Sequence, residues 1–220
     1  MRFHEQGSEM RLHQETEGKT MRKIIFATGN EHKLQEIREI LSGSGLEIIS
    51  MREAGVDIDI VENGTTFEEN ALIKAKAVCE ASGEIAMADD SGLEIDYLNK
   101  APGVYSSRFM GEDTSYQVKN TELVRMLEGV PDEKRTARFV CCVACVFPDG
   151  HILTDTETME GLIAYEPKGE GGFGYDPIFY VPENGCTNGQ LPPGRKNEIS
   201  HRGKALRAMK HLLEKENLQG

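Results

Sequence analysis

The stretch "TARFVCCVACVFPDGHILTDTETMEGLIAY", Thr136 to Tyr165, decides the fold. Two runs rich in β-formers flank Pro148-Asp149-Gly150, a turn tripeptide. The pattern predicts two long antiparallel strands joined by a tight turn. Within the first run, "ARFVCCVACVF" is apolar at odd and even positions alike, so both faces of that strand are expected to be buried. It is therefore read as central to its sheet. Cys142 and Cys145 form a C-x-x-C, but residues i and i+3 of a strand point to opposite faces and cannot chelate one metal. Core packing is the better reading.

Outward from this hairpin the pattern alternates. "RKIIFATGN" (22–30) is a short strand ending in a Thr-Gly-Asn turn, and "EHKLQEIREILSGSG" (31–45) sets Leu34, Ile37, Ile40 and Leu41 at helical spacing before a glycine stop. "LEIIS" (46–50) is a further strand, which completes the strand–helix–strand unit of a parallel sheet. "TFEENALIKAKAVCEAS" (66–82) reads as a helix with Thr66 and Glu69 placed for a capping box. "EIAMADDSGLEIDYL" (84–98) reads as a strand, a polar turn bearing two aspartates, and a second short strand. Helices are expected at 115–130 and from residue 201 to near the C-terminus, with "APGVYSSRF" (101–109) as a loop. The fold class is α/β, with long central strands flanked by helices.

At 220 residues the chain suits one domain, read as 21–220. Residues 1–20 are polar and lack the apolar centre of a secretory signal, so a disordered extension or leader is expected there. No run approaches the ~20 apolar residues of a membrane span. A formal charge of -12 argues against broad binding to nucleic acid or anionic membrane. Five cysteines, an odd count, fit reduced thiols in the cytoplasm.

Four polar clusters interrupt this framework. "TGNEHK" (Thr28 to Lys33) lies where a strand gives way to a helix, whose free N–H groups suit phosphate. In "ADDSG", Asp89 and Asp90 repel each other unless neutralised, and a divalent cation such as Mg²⁺ does that well. Glu62, Glu68 and Glu69 lie upstream and could complete an acidic metal site. "GEGGFGYDPIF" (169–179) combines glycines, which let backbone approach a ligand, with the aromatic faces of Phe173 and Tyr175. "KNEISHRGKAL" (196–206) concentrates Lys196, His201, Arg202 and Lys204, with Ser200 placed to cap a helix. Singly, each cluster also fits an ordinary turn or a charged helix start. Together they supply phosphate donors, metal carboxylates, an aromatic face and base-edge donors. No G-x-x-x-x-G-K-[ST] is present to suggest a P-loop.

With these clusters in place, the sequence resembles the inosine/xanthosine triphosphate pyrophosphatase family, the Ham1-like proteins. "FATGNEHKLQEI", "TFEENALIKA", "ADDSGLEID", "APGVYSSRF", "GGFGYDPIF" and "KNEISHRGKAL" occur in the family's order. The departure is "GCTNGQLPPGRK" (185–196), whose Pro192-Pro193-Gly194 should change the shape of a loop that is usually acidic. The resemblance implies an elongated, two-lobed mixed sheet with a central substrate cleft, and a homodimer. It implies Mg²⁺-dependent hydrolysis of ITP, dITP and XTP to monophosphate and pyrophosphate. By motif position, Thr28, Gly29, Asn30 and Lys33 would hold the triphosphate. Glu62 and Asp90 would bind Mg²⁺, with Asp90 also accepting the proton of the attacking water and Ser91 touching substrate. Phe173, Gly174, Tyr175 and Asp176 would wrap the purine, with Lys196, His201 and Arg202 meeting base or sugar. Asp89 is the second choice for the base, because neighbouring strand residues diverge and only one is expected to face the cleft. The alternatives are a Mg²⁺-dependent monophosphatase and a non-catalytic nucleotide-binding protein.

Overall fold

The computed structural model describes residues 22–216, so the expectation for residues 1–20 lies outside the described part. The predicted hairpin is present. β4 (Thr136–Val146) and β5 (Ile152–Ile163) pair antiparallel from Thr136↔Leu162 to Val146↔Ile152. On its other side β4 pairs with β3 (Ala86–Ile95), again antiparallel. β1 (Arg22–Phe26), α1 (Glu31–Ile40) and β2 (Leu46–Ser50) form the parallel unit. The short strands β6 (Phe179–Val181) and β7 (Cys186–Thr187) complete one seven-stranded mixed sheet, in the order β2-β1-β3-β4-β5-β6-β7.

α2 (Phe67–Ser82) begins with the expected capping box between Thr66 and Glu69 and ends at Gly83 in the left-handed region. α3 (Tyr116–Met126) follows the loop. In the unusual loop Pro192 takes the N-cap position and Pro193 the first position of a short helix, α4 (Pro193–Ile199), where proline's fixed φ suits the first turn. α5 (His201–Glu216) closes the described chain, and Ser200 Oγ accepts from Gly203 N–H at 3.0 Å as the predicted cap.

Three apolar clusters form the core. One lies between the sheet and α1 and α5, and includes Phe26, Ile37, Met87 and Met209. A second lies under α2 on the opposite face and includes Ala75, Val78, Ala88 and Ala144. The third sits at the far end of the long strands, where Leu93, Ile95 and Phe139 meet Leu123 and Phe179. β3 and β4 thus run from one lobe into the other. Cys142 and Cys145 belong to different clusters on opposite faces, and the five cysteines are free thiols.

Two sequence expectations need correction. "ADDSG" is not a turn: β3 is continuous, with Asp89↔Val143, Asp90↔Cys142 and Ser91↔Cys141 in register. The polar run mimicked a turn because its burial is compensated by distant cations. β1 pairs with β3 only at Ala86 and Met87, plus one bond from Ala27 N–H to Met87 O. From Ala88 to Gly92 this edge of β3 has no strand partner and is open to the space between the lobes, before the 101–106 loop bonds it from Leu93 onward. Asp89 and Asp90 project to opposite faces of an open edge, so both border the same cavity. The expectation that only one would reach the cleft fails for that reason.

Gly92 follows this crossing point. A Cβ there would lie 2.5 Å from Ser106 Oγ and 2.9 Å from Phe67 Cε1, and would also strike Gly103 O. The loop is held to the strand by Leu93 N–H donating to Ser106 Oγ at 2.9 Å. Gly92→Ala is expected to cost about 1–3 kcal/mol by overpacking, read as a lower midpoint in urea unfolding.

Candidate active site

Between the lobes lies a cavity of about 920 Å³, and every candidate substrate, metal and catalytic residue drawn from the sequence borders it, save Glu68 and Glu69. They arrive from six places: the start of α1, the segment before α2, the crossing of β3, the "GGFGYD" loop, α4 and the start of α5. At the mouth, Asn30 caps α1 by accepting from Lys33 N–H at 3.1 Å, while Thr28 Oγ1 accepts from Asn30 N–H at 3.1 Å. Lys33 Nζ reaches in to Asp89 at 3.2 Å.

The two adjacent aspartates have opposite surroundings. Asp89, 2 % exposed, faces α5. Arg202 Nε donates to it at 3.2 Å, alongside Lys33. Burial opposes its charge, but Lys33, Arg202 and Lys74 outweigh that and hold the carboxyl far below the usual carboxylate range. Asp90 faces α2, where it accepts from Asn70 Nδ2 at 3.1 Å and Lys74 Nζ at 3.3 Å. Burial raises its pKa, and Lys74 and Asn70 offset this only in part. One carboxyl is locked ionised and its neighbour is tuned upward, which is how a site separates a structural anion from a base.

Lys74 also donates to Glu62 Oε2 at 2.7 Å, so it bridges Glu62 and Asp90. Burial opposes its charge, yet Asp90, Asp89 and Glu62 keep it above the ordinary amine value. Glu62 and Asp90 therefore already converge on a cation, and their hard oxygens fit Mg²⁺. No cluster of three or more His, Cys, Asp or Glu suited to a metal occurs among the described residues. Glu68 and Glu69 do not join the site. Glu69 is spent on the cap of α2, and exposed Glu68 takes a hydrogen bond from Thr154 Oγ1 at 3.3 Å.

On the α5 face, Arg202 is 2 % exposed and donates to Asp89, to Glu36 and, at 2.9 Å, to Ser91 Oγ. Lys196 lies 3.0 Å from Asp176 and 3.4 Å from Glu36. Phe173 has Lys196 Nζ at 4.6 Å and Arg202 Cζ at 5.4 Å from its ring centre. His201 is buried, stacked on Phe139 at 4.8 Å, and its Nδ1 has no partner among the described residues. Burial, then Arg202 and Lys196, push its pKa well below the ordinary value, so it is neutral at pH 7. It is no charged surface residue.

The glycine-rich loop owes its shape to Asp176. That carboxylate accepts from Phe173 N–H at 2.8 Å and from Asn188 Nδ2 at 2.6 Å, besides Lys196. Gly172 takes a positive φ of 73° against the same carboxylate. Asp176 is thus occupied in holding the loop, and Gly174 and Phe173 present the loop to the cavity. Tyr175 is buried and donates to Ser106 O at 2.6 Å, tying the loop to "APGVYSSRF".

Sequence reading missed Glu36, Asn70 and Lys74. The signal existed: Asn70 and Lys74 sit i, i+4 on the buried face of α2 among alanines, and Glu36 interrupts the buried stripe of α1 between Leu34 and Ile37. A polar residue at a core-facing position needs a partner.

A split core with a carboxylate pair on an open strand edge, ringed by lysines and an arginine, defines an α/β protein whose cleft receives an anionic small molecule. The sequence model of the Ham1 family matches residues 24–212, and the chain belongs to that family. A dITP/XTP pyrophosphatase of Desulforamulus reducens is 49% identical over 191 residues, covering 87% of this chain and 95% of its own. One from Vibrio parahaemolyticus is 46% identical over 191 residues, covering 86% and 95%. A solved HAM1 protein from Coxiella burnetii superposes with a TM-score of 0.81 at 42% identity, covering 89% of this chain and all of that one.

Proposed function

We infer that this chain is a nucleoside triphosphate pyrophosphatase that acts on deaminated purine triphosphates (ITP, dITP and XTP) with Mg²⁺. The observation that carries the reading is the divergent pair Asp89 and Asp90 on the open edge of β3. The relatives' name, dITP/XTP pyrophosphatase, supports the substrate class.

Charge balance supports the metal. Five cationic residues border the cavity (Lys33, Lys74, Arg108, Lys196, Arg202) against six carboxylates (Glu31, Asp59, Glu62, Asp89, Asp90, Asp176). The cleft alone therefore offers a triphosphate no net positive charge. Mg²⁺ held by Glu62 and Asp90 would supply the missing charge on the phosphate oxygens. Asp90 accepts a proton from the attacking water, the α–β phosphoanhydride breaks, and pyrophosphate leaves the monophosphate behind. Proton transfer needs the carboxylate form, so kcat should rise with pH as Asp90 ionises. Lys33 and the exposed start of α1 hold the phosphates.

Base choice follows from donors. Arg202 has five N–H donors and spends three on Glu36, Asp89 and Ser91, which leaves two for a ligand. An oxo group at purine position 6 accepts from them, whereas the adenine amino group sets donor against donor. Guanine shares that oxygen, so its rejection falls to position 2, where the "GGFGYD" backbone is the candidate filter. A panel of triphosphates with pyrophosphate detection should show ITP and XTP exceeding ATP and GTP in kcat/KM by at least ~100-fold. Arg202→Lys keeps the charge beside Glu36 and Asp89 but removes the fork, and should narrow the gap to ATP by lowering activity on ITP. Equal rates on ATP and ITP would refute this account, and release of inorganic phosphate in place of pyrophosphate would favour a monophosphatase.

The homodimer and the cytoplasmic location rest on the family resemblance and on the free thiols. No described helix is long and apolar enough to cross a membrane. Sedimentation equilibrium at twice the chain mass is the expected result.

A further inference from the structure

We propose that Arg108 binds the phosphate chain of the substrate, a role that rests on the pyrophosphatase reading above. Of the five cations bordering the cavity, four are committed to carboxylates: Lys33 to Asp89, Lys74 to Glu62 and Asp90, Lys196 to Glu36 and Asp176, and Arg202 to Glu36 and Asp89. Arg108 has no carboxylate partner among the described residues. Its guanidinium rests 4.9 Å from the ring centre of Tyr105, itself 56% exposed. In a chain of net charge -12, a cation left unpaired inside a cleft that already holds more carboxylates than cations calls for an anion from outside.

The fold says which part of the ligand that is. Gly92 and Asp90 are two apart on β3 and share a face. The chain at Gly103 and Ser106 packs on Gly92, so this loop lies on the side of Asp90, Asn70 and Lys74, where the phosphates react. Arg202 and Lys196, which flank Phe173, are grouped with Asp89 and Asp176 on the other side. The loop is firmly anchored. Ser106 Oγ accepts from Leu93 N–H, Ser106 O accepts from Tyr175 O–H at 2.6 Å, and Lys119 Nζ donates to Ser107 O at 2.6 Å. Only the guanidinium at its end is uncommitted. A fixed backbone with a free, planar, multi-donor head suits phosphate oxygens.

The test compares ligands that carry one half of the substrate each. Binding of Mg²⁺-pyrophosphate and of inosine would be measured by calorimetry on wild type, Arg108→Ala and Arg108→Lys, alongside KM for ITP. Because the side chain makes no hydrogen bond among the described residues, both variants should melt as wild type does. Arg108→Ala should weaken pyrophosphate binding by about 10- to 100-fold and raise KM for ITP, while inosine binding stays unchanged. Arg108→Lys should recover part of the loss. Unchanged pyrophosphate binding in Arg108→Ala, an equal loss for inosine, or no pyrophosphate binding by active wild-type protein would each overturn the proposal. Failure of wild type to release pyrophosphate from any triphosphate would instead overturn the pyrophosphatase reading.

Discussion

Asp90→Asn is expected to lower turnover of ITP by at least ~100-fold, the lower range for loss of a general base, with no fall in melting temperature. The two halves of this expectation come from the same burial. Desolvation raises the pKa of Asp90 in the folded protein despite Lys74 and Asn70. A carboxyl whose folded pKa lies above its unfolded value binds protons more tightly when folded. Its contribution to stability is present at low pH and is lost as pH rises through the folded pKa. At pH 7 ionised Asp90 is thus a burden that asparagine removes. Asn70 can still bond the substituted side chain, and Lys74 keeps Glu62 at 2.7 Å. Steady-state kinetics and calorimetry on the same preparation check both halves. Near wild-type turnover would remove Asp90 as base and ligand, and a marked drop in melting temperature would show that its ion pair with Lys74 outweighs its desolvation.

Much of this was legible in the sequence, for identifiable reasons. The β4–β5 hairpin announced itself because both flanking runs are long and the turn chemistry is local. The caps of α2 and α5 were readable because a cap involves residues three apart. The failure at Asp89 and Asp90 is equally physical. A local rule assigns two adjacent carboxylates to a turn. Their burial in a strand depends on Lys33, Lys74 and Arg202, which lie 56, 16 and 113 residues away. Partners so remote leave no mark on the local pattern. Glu36, Asn70 and Lys74 were overlooked for a related reason: each follows the helical period and reads as one more polar residue until the helix faces are assigned. The prolines at 192 and 193 stand at the N-cap and first residue of α4, positions proline tolerates, and α4 delivers Lys196 to the cavity.

Asp89→Asn should behave in the opposite way to its neighbour, with a large loss of stability. Asp89 is buried between Lys33 and Arg202, and removal of its charge leaves those cations facing a neutral amide. Breaking a buried ionic network from one side costs about 3–5 kcal/mol. For a domain of this size that corresponds to a melting temperature about 6–20 °C lower. The sign with pH is fixed by the direction of the shift. Lys33, Arg202 and Lys74 outweigh burial and depress the folded pKa far below the unfolded value of about 3.9. The stabilisation by ionised Asp89 is therefore complete above about pH 5 and is lost as pH falls through 4 toward the folded pKa. The gap between wild type and Asp89→Asn should be widest at neutral pH and should narrow as the buffer is taken below pH 4. Thermal melts at pH 7 and pH 3 decide the matter. A gap that is small at pH 7, or that fails to narrow in acid, would mean that Arg202 is held by Glu36 alone and that the opposed tuning of the two aspartates does not exist.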